Sequence, residues 1–193
     1  MIKIADITPE IKCVNIILQG PCNYRCCYCY VDRKRLDGVP FGPISTREGA
    51  GKLLAMLDLM GRSSVMLVGG GEAMLLPNFI ELCTSITRRH KLAIMTNFSR
   101  PIEPFMEAVP PEKVSSFVIS LHPEGEKELE GLKKSVCNMQ KAGYPVTVIY
   151  VAHPLRIGNI PGLYGWFTAR DVVFKVAPFN GEFRGKPYPS SYT

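Results

Sequence analysis

The chain has 193 residues, 46% hydrophobic and 21% charged, a globular balance that excludes a disordered or collagenous polymer. A net charge of +6 is basic but not extreme, and no RRM-like or KH-like element accompanies it, so nucleic acid is not an expected partner. No apolar run approaches the ~20 residues of a membrane span. The opening Met1–Asp6 lacks the features of a secretory signal, so a cytoplasmic protein with no membrane partner is expected.

In chain order, Val14–Leu18 is an apolar run of strand length, ended sharply by Gln19-Gly20-Pro21 ahead of a cysteine-rich loop. Ser45-Thr46-Arg47-Glu48 has the spacing of a capping box, and Ala50, Leu53, Leu54, Leu57 and Met60 then trace a helical stripe stopped by Gly61. Val65–Val68 is a second strand, ending in three glycines. Pro77 suits a helix first turn, with Phe79, Leu82, Cys83 and Ile86 on the apolar face. Leu92–Met95 is the third strand, a short helix bounded by proline covers Ile102–Val109, and Phe117–Leu121 is the fourth strand.

Leu129, Leu132, Val136 and Met139 mark one face of a longer helix stopped by Gly143, with Glu130 and Lys134 spaced to pair on its surface. Val146–Val151 is the fifth strand, a weak helix spans Leu163–Ala169, and Val172–Val176 is the sixth strand. Six alternating β/α repeats with buried-type strands imply a parallel sheet with right-handed crossovers. An open barrel and a doubly wound sheet both satisfy that pattern. At 193 residues the chain is just below the roughly 200 at which complete eight-unit barrels begin. Residues 178–193 read as an irregular tail rich in Gly, Pro, Tyr and Ser. Phe179, Phe183, Tyr188 and Tyr192 suit either a cover for the site or the start of a longer extension.

Seven cysteines form no disulfide framework: Cys22, Cys26, Cys27 and Cys29 crowd one loop, while Cys13, Cys83 and Cys137 lie in apolar segments and read as core residues. Clustered cysteines in an unexported chain point to metal or redox chemistry. Cys22, Cys26 and Cys29 form C-x3-C-x2-C, and three thiolates on one loop can hold three irons of a [4Fe–4S] cluster, leaving the fourth iron open to an outside ligand. A shifted set using Cys27 is an alternative. Zinc is another, but it normally takes four ligands and no fourth stands at the right spacing.

The triplet, with aromatic Tyr28 just before its last cysteine and a strand just before its first, resembles the signature of radical S-adenosylmethionine (AdoMet) enzymes. The resemblance implies a partial (β/α)6 barrel of parallel strands over residues 1–177. It also implies a [4Fe–4S] cluster on Cys22, Cys26 and Cys29, and reductive cleavage of bound AdoMet to a 5′-deoxyadenosyl radical that takes hydrogen from a substrate. Gly70-Gly71-Glu72 is similar to the family's Gly-Gly-Glu-Pro motif, with Ala73 in place of the proline, and is expected to hold the methionine amino group. Tyr28 is expected to pack at the adenine, and Asn97 and Ser120, at strand ends, to meet the AdoMet carboxylate or ribose. Asn97 as a turn residue and Ser120 bonded to backbone are the structural alternatives.

His122 is a weaker candidate for a substrate contact, and His90 and His153 carry less information still. The family's adenine pattern is not recognisable in Val148-Ile149-Tyr150-Val151. An acidic electron donor such as a flavodoxin or ferredoxin suits the basic run Arg33-Lys34-Arg35, which otherwise reads as a solvated surface. The substrate is open among a peptide, a glycyl-radical enzyme and a small molecule. The competing class is a non-catalytic scaffold module whose loop holds zinc or an iron–sulfur group.

Overall fold

A computed structural model describes residues 13–29, 31, 40–122 and 127–188. The opening Met1–Asp6, the basic run Arg33-Lys34-Arg35 and Tyr192 lie outside the described residues.

Six strands form one sheet: β1 (Cys13–Gln19), β2 (Ser64–Gly70), β3 (Lys91–Thr96), β4 (Val114–Leu121), β5 (Val146–Ala152) and β6 (Val173–Pro178). Between them run α1 (Arg47–Leu59), α2 (Phe79–Thr87), α3 (Glu103–Ala108), α4 (Leu129–Lys141) and α5 (Ile160–Thr168). Each strand pairs in parallel with its sequence neighbour, in the order β1-β2-β3-β4-β5-β6. This order decides between the two architectures left open by the sequence. A doubly wound sheet reverses direction at a switch point. Here the order never reverses, so crossovers of one hand stack every helix on one face. The outer strands β1 and β6 are not paired to each other, and the barrel is partial.

The helix-facing row of the sheet runs in register through Ile16, Leu67, Ile94, Phe117 and Val146. Leu67, Ile94 and Phe117 are fully buried, and Phe105 of α3 packs edge-on against Phe117 at 5.5 Å. Burial of such side chains contributes about 1.5–3 kcal/mol each. The row therefore clamps sheet to helices and leaves the strands' carboxyl ends aligned along one edge. No helix among the described residues is long and apolar enough to cross a membrane.

Several local details differ from the sequence reading. Thr46, not Ser45, caps α1, its hydroxyl accepting from the Gly49 N–H at 3.1 Å. Ser45 closes the preceding 3-10 turn instead, donating to the Gly42 carbonyl. Pro77 stands before the cap residue Asn78 rather than in the first turn of α2, and Asn78 donates to the Ile44 carbonyl. Glu130 pairs with Lys133 at 2.7 Å rather than with Lys134, and the Lys133 ammonium also stands over the Trp166 ring, 4.9 Å from its centroid. Cys13 is exposed and Cys137 only half-buried, so Cys83 alone of the three scattered cysteines is a core residue. Cys13 begins an edge strand whose alternate side chains face outward.

The tail also carries order. β7 (Gly181–Phe183) and β8 (Lys186–Tyr188) form an antiparallel hairpin. Arg184 and Gly185 make its two-residue turn, both at positive φ (52° and 72°), as a type I′ connection requires.

Candidate active site

The carboxyl ends of β1 to β5 lead into Gly20, Gly71, Asn97, His122 and His153 respectively, all at one edge of the sheet. In parallel α/β folds that edge is where chemistry is built. The cysteine loop leaves β1 there. Its first turn is held by Arg25, whose guanidinium donates to the Cys22 carbonyl at 2.6 Å, and its last by the Cys29 N–H, which donates to the Cys26 carbonyl at 3.1 Å. Cys22 and Cys26 are half-buried, whereas Cys27 and Cys29 are exposed.

The glycines after β2 serve close backbone packing. The Gly20 N–H donates to the Gly70 carbonyl, and the Glu72 N–H to the Pro21 carbonyl. A Cβ on Gly71 would stand 2.8 Å from the Gly20 carbonyl oxygen, so only glycine lets β2 exit this close to the start of the cysteine loop.

Glu72 is buried and joins three elements. Its Oε1 accepts from the Met74 N–H at 2.9 Å and the Thr96 hydroxyl at 2.5 Å, and its Oε2 accepts from the Asn97 N–H at 2.7 Å. Burial pushes its carboxyl above the usual range, and these three hydrogen bonds oppose that rise. Three of the four acceptor positions of the carboxylate are thereby taken, and one on Oε2 is left. Asn97 in turn reaches the cysteine loop: its Nδ2 donates to Asn23 Oδ1 at 3.0 Å and lies 3.8 Å from Cys22 Sγ. The following residue, Phe98, is held at φ +57°, an uncommon left-handed conformation for an aromatic residue. Its N–H is secured by the Thr96 hydroxyl at 2.9 Å.

On the other side of the loop, the Tyr28 hydroxyl and His122 Nδ1 are 2.8 Å apart. The Tyr28 ring also packs against His153 and Phe179, at 6.2 and 5.6 Å between centroids. Phe179 and Phe183 of the tail both stand edge-on to His153. The start of the tail therefore lies against the cysteine loop. Ser120 is half-buried near the end of β4, in register with Ile149.

Burial pushes the Cys22 thiol above its ordinary range; the Tyr24 backbone and Arg25 pull it down, while the charges of Glu72 and Cys29 push it further up. A neighbouring thiolate thus opposes ionisation of Cys22 until a cation stands beside it. Among the described residues no three His, Cys, Asp or Glu side chains converge as ligands of one metal ion, as zinc would require at about 2.3 Å per sulfur. An iron–sulfur cluster takes each thiolate on its own iron, so the three sulfurs must face one compact group rather than one ion. Three soft thiolates on one short loop are the donor type that an iron–sulfur cluster takes.

His122 and His153 are the site residues that sequence reasoning undervalued. Both stand immediately after strands β4 and β5, as Asn97 stands after β3. The strand-end argument that singled out Asn97 applies to them equally.

No family model matches the sequence, and no curated protein does. Among solved structures, similar folds include anSMEcpe with bound AdoMet, at TM-score 0.67 and 16% identity over 93% of this chain and 56% of that one. SuiB of Streptococcus suis bound to S-adenosylmethionine is similar at TM-score 0.65 and 16% identity, over 94% of this chain and 44% of that one. BtrN in complex with AdoMet and 2-DOIA is similar at TM-score 0.51 and 18% identity, over 73% and 57%. The chain spans about half the length of these proteins. The fold it shares with them is a partial α/β barrel, an open sheet of six parallel strands with its helices on one face.

Proposed function

We propose that the chain is a radical AdoMet enzyme, holding a [4Fe–4S] cluster and AdoMet at the carboxyl edge of its sheet. The observation that carries this reading is the C-x3-C-x2-C loop, which leaves β1 and lies against the Asn97 end of β3 within this fold. When bound, a three-cysteine cluster supplies an open iron for the methionyl end of AdoMet and the electron that cleaves it to methionine and a 5′-deoxyadenosyl radical for hydrogen abstraction.

Cys22, Cys26 and Cys29 are the ligands in this reading. Asn97 holds Cys22 by a weak N–H···S contact and keeps the loop in register with β3. Gly70 and Gly71 bring the β2 backbone up to the loop, and the remaining acceptor position on Glu72 Oε2 suits an ammonium group. Ser120 and the Asn97 side chain supply polar contacts from neighbouring strand ends. Tyr28, fixed through His122, offers its ring as a wall for the adenine. Phe179 and Phe183 help exclude water from the same side.

The partners in this reading are an acidic electron donor of the flavodoxin or ferredoxin kind and a substrate. A peptide is the favoured substrate class, because anSMEcpe and SuiB have solved complexes with peptides. Metal analysis after anaerobic purification tests the proposal. Iron with matching sulfide supports it; one zinc per chain without sulfide favours the scaffold alternative.

A further inference from the structure

Cys26 and Cys27 are adjacent, and either can complete a set of three thiolates with Cys22 and Cys29. Something must choose between them. Cys27 Sγ lies 3.7 Å from His153 Nε2, within hydrogen-bonding reach for sulfur. His153 follows β5 and is buried, and its Nδ1 accepts the Leu155 N–H at 3.2 Å. With Nδ1 accepting, the proton of the neutral ring is on Nε2, so the ring donates to Cys27 and cannot serve as its base. Edge-on contacts from Phe179 at 5.0 Å and Phe183 at 5.3 Å fix the direction of that donor.

We propose that His153 is a positioning residue that selects the ligand set of the cysteine loop: its N–H···S hydrogen bond holds the Cys27 sulfur toward β5 and leaves Cys26 as the middle ligand. The inference rests on the cluster reading above. Without the donor, the two adjacent thiolates would compete for one iron.

The test is alkylation of the full chain after anaerobic reconstitution with iron and sulfide, mapped cysteine by cysteine by mass spectrometry. In the native protein, Cys22, Cys26 and Cys29 should be protected and Cys27 modified. His153→Phe keeps the aromatic packing and removes the donor. It should raise modification of Cys26 relative to Cys27 by about two- to tenfold, the shift expected from one ordinary hydrogen bond. His153→Gln, which keeps a donor, should restore the native pattern.

Two further variants guard against a folding defect. Cys27→Ser should bind as much iron as the native chain. Cys26→Ala should lose iron, and the double variant Cys26→Ala/His153→Phe should regain part of it through Cys27, a gain that misfolding cannot produce. Iron bound with an unchanged alkylation pattern in His153→Phe, or iron lost in Cys27→Ser, overturns the role of His153 alone. A native chain that binds no iron and is modified at all four cysteines overturns the cluster reading and this inference with it.

Discussion

The Tyr28 hydroxyl meets His122 Nδ1 at 2.8 Å, joining the cysteine loop of β1 to the end of β4 across the intervening strands. The aromatic residue before the last cysteine is thus held at both ends, by its backbone in the loop and by its hydroxyl on a distant strand. Tyr28→Phe keeps the ring and removes that tie. The expected result is a loss of about 0.5–1.5 kcal/mol in stability, with a several-fold weaker binding of AdoMet measured by calorimetry on the reconstituted protein. Unchanged affinity would mean that the tie does not orient the ring for a ligand.

Glu72 is expected to be the most sensitive polar residue at this edge. Gln at this position keeps the shape but replaces one acceptor oxygen by an NH2 group, so the Asn97 N–H or the pair from Thr96 and Met74 faces a donor. Burial of an unpaired donor costs about 1–3 kcal/mol, and urea denaturation should record at least that for Glu72→Gln. Thr96→Val removes one of the three donors and also the acceptor of the Phe98 N–H, and should cost a comparable amount.

The six strands and five helices were legible from apolar periodicity, because even the largely exposed edge strands β1 and β6 keep an apolar run and each helix shows one face to the sheet. The monotonic strand order was not, since it depends on where crossovers land and no local pattern records that. Asn97 and the Gly70-Gly71-Glu72 turn could be singled out from their positions after strands. What Glu72 bonds to could not, because Thr96 and Asn97 lie on another strand. His153 was undervalued for the same reason: its partners Cys27, Phe179 and Phe183 are distant in sequence and meet only when β5 and the tail reach the loop. The cap of α1 fell on Thr46 rather than Ser45 because two neighbouring hydroxyl residues offer the same chemistry, and only the backbone turn before the helix chooses.

Tyr144 gives the fold an alkaline limit. It is buried, and its hydroxyl donates to the Val109 carbonyl at 2.6 Å. Burial pushes its phenol above the ordinary range, and the charge of Glu112 adds to the rise. The unfolded chain therefore releases this proton first, from pH about 10. Stability contributed by the protonated phenol is fully present below that pH and is lost as pH rises through the higher folded-state value. Urea midpoints followed upward from pH about 9 should fall in the native protein and fall less steeply in Tyr144→Phe. Equal slopes would remove Tyr144 as the cause.

The tail hairpin carries a removable strain. Arg184 occupies a left-handed position at φ +52° in the turn with Gly185, where a residue other than Gly, Asn or Asp costs roughly 1–2 kcal/mol. Arg184→Asn creates the favoured Asn-Gly turn and should slow hydrogen exchange in β7 and β8 by a few-fold. Faster exchange would indicate that the Arg184 side chain itself secures the hairpin; its guanidinium lies over the Phe183 ring at 5.2 Å.

The most direct test of the account is anaerobic AdoMet cleavage by the reconstituted chain beside a variant with Cys22, Cys26 and Cys29 all changed to Ala. The native chain should hold about four irons, change its electron paramagnetic resonance signal when AdoMet is added, and release 5′-deoxyadenosine and methionine in equal amounts on reduction. The triple variant should do none of these. If it bound the same iron and still cleaved AdoMet, the assignment of this loop as the catalytic centre would be wrong.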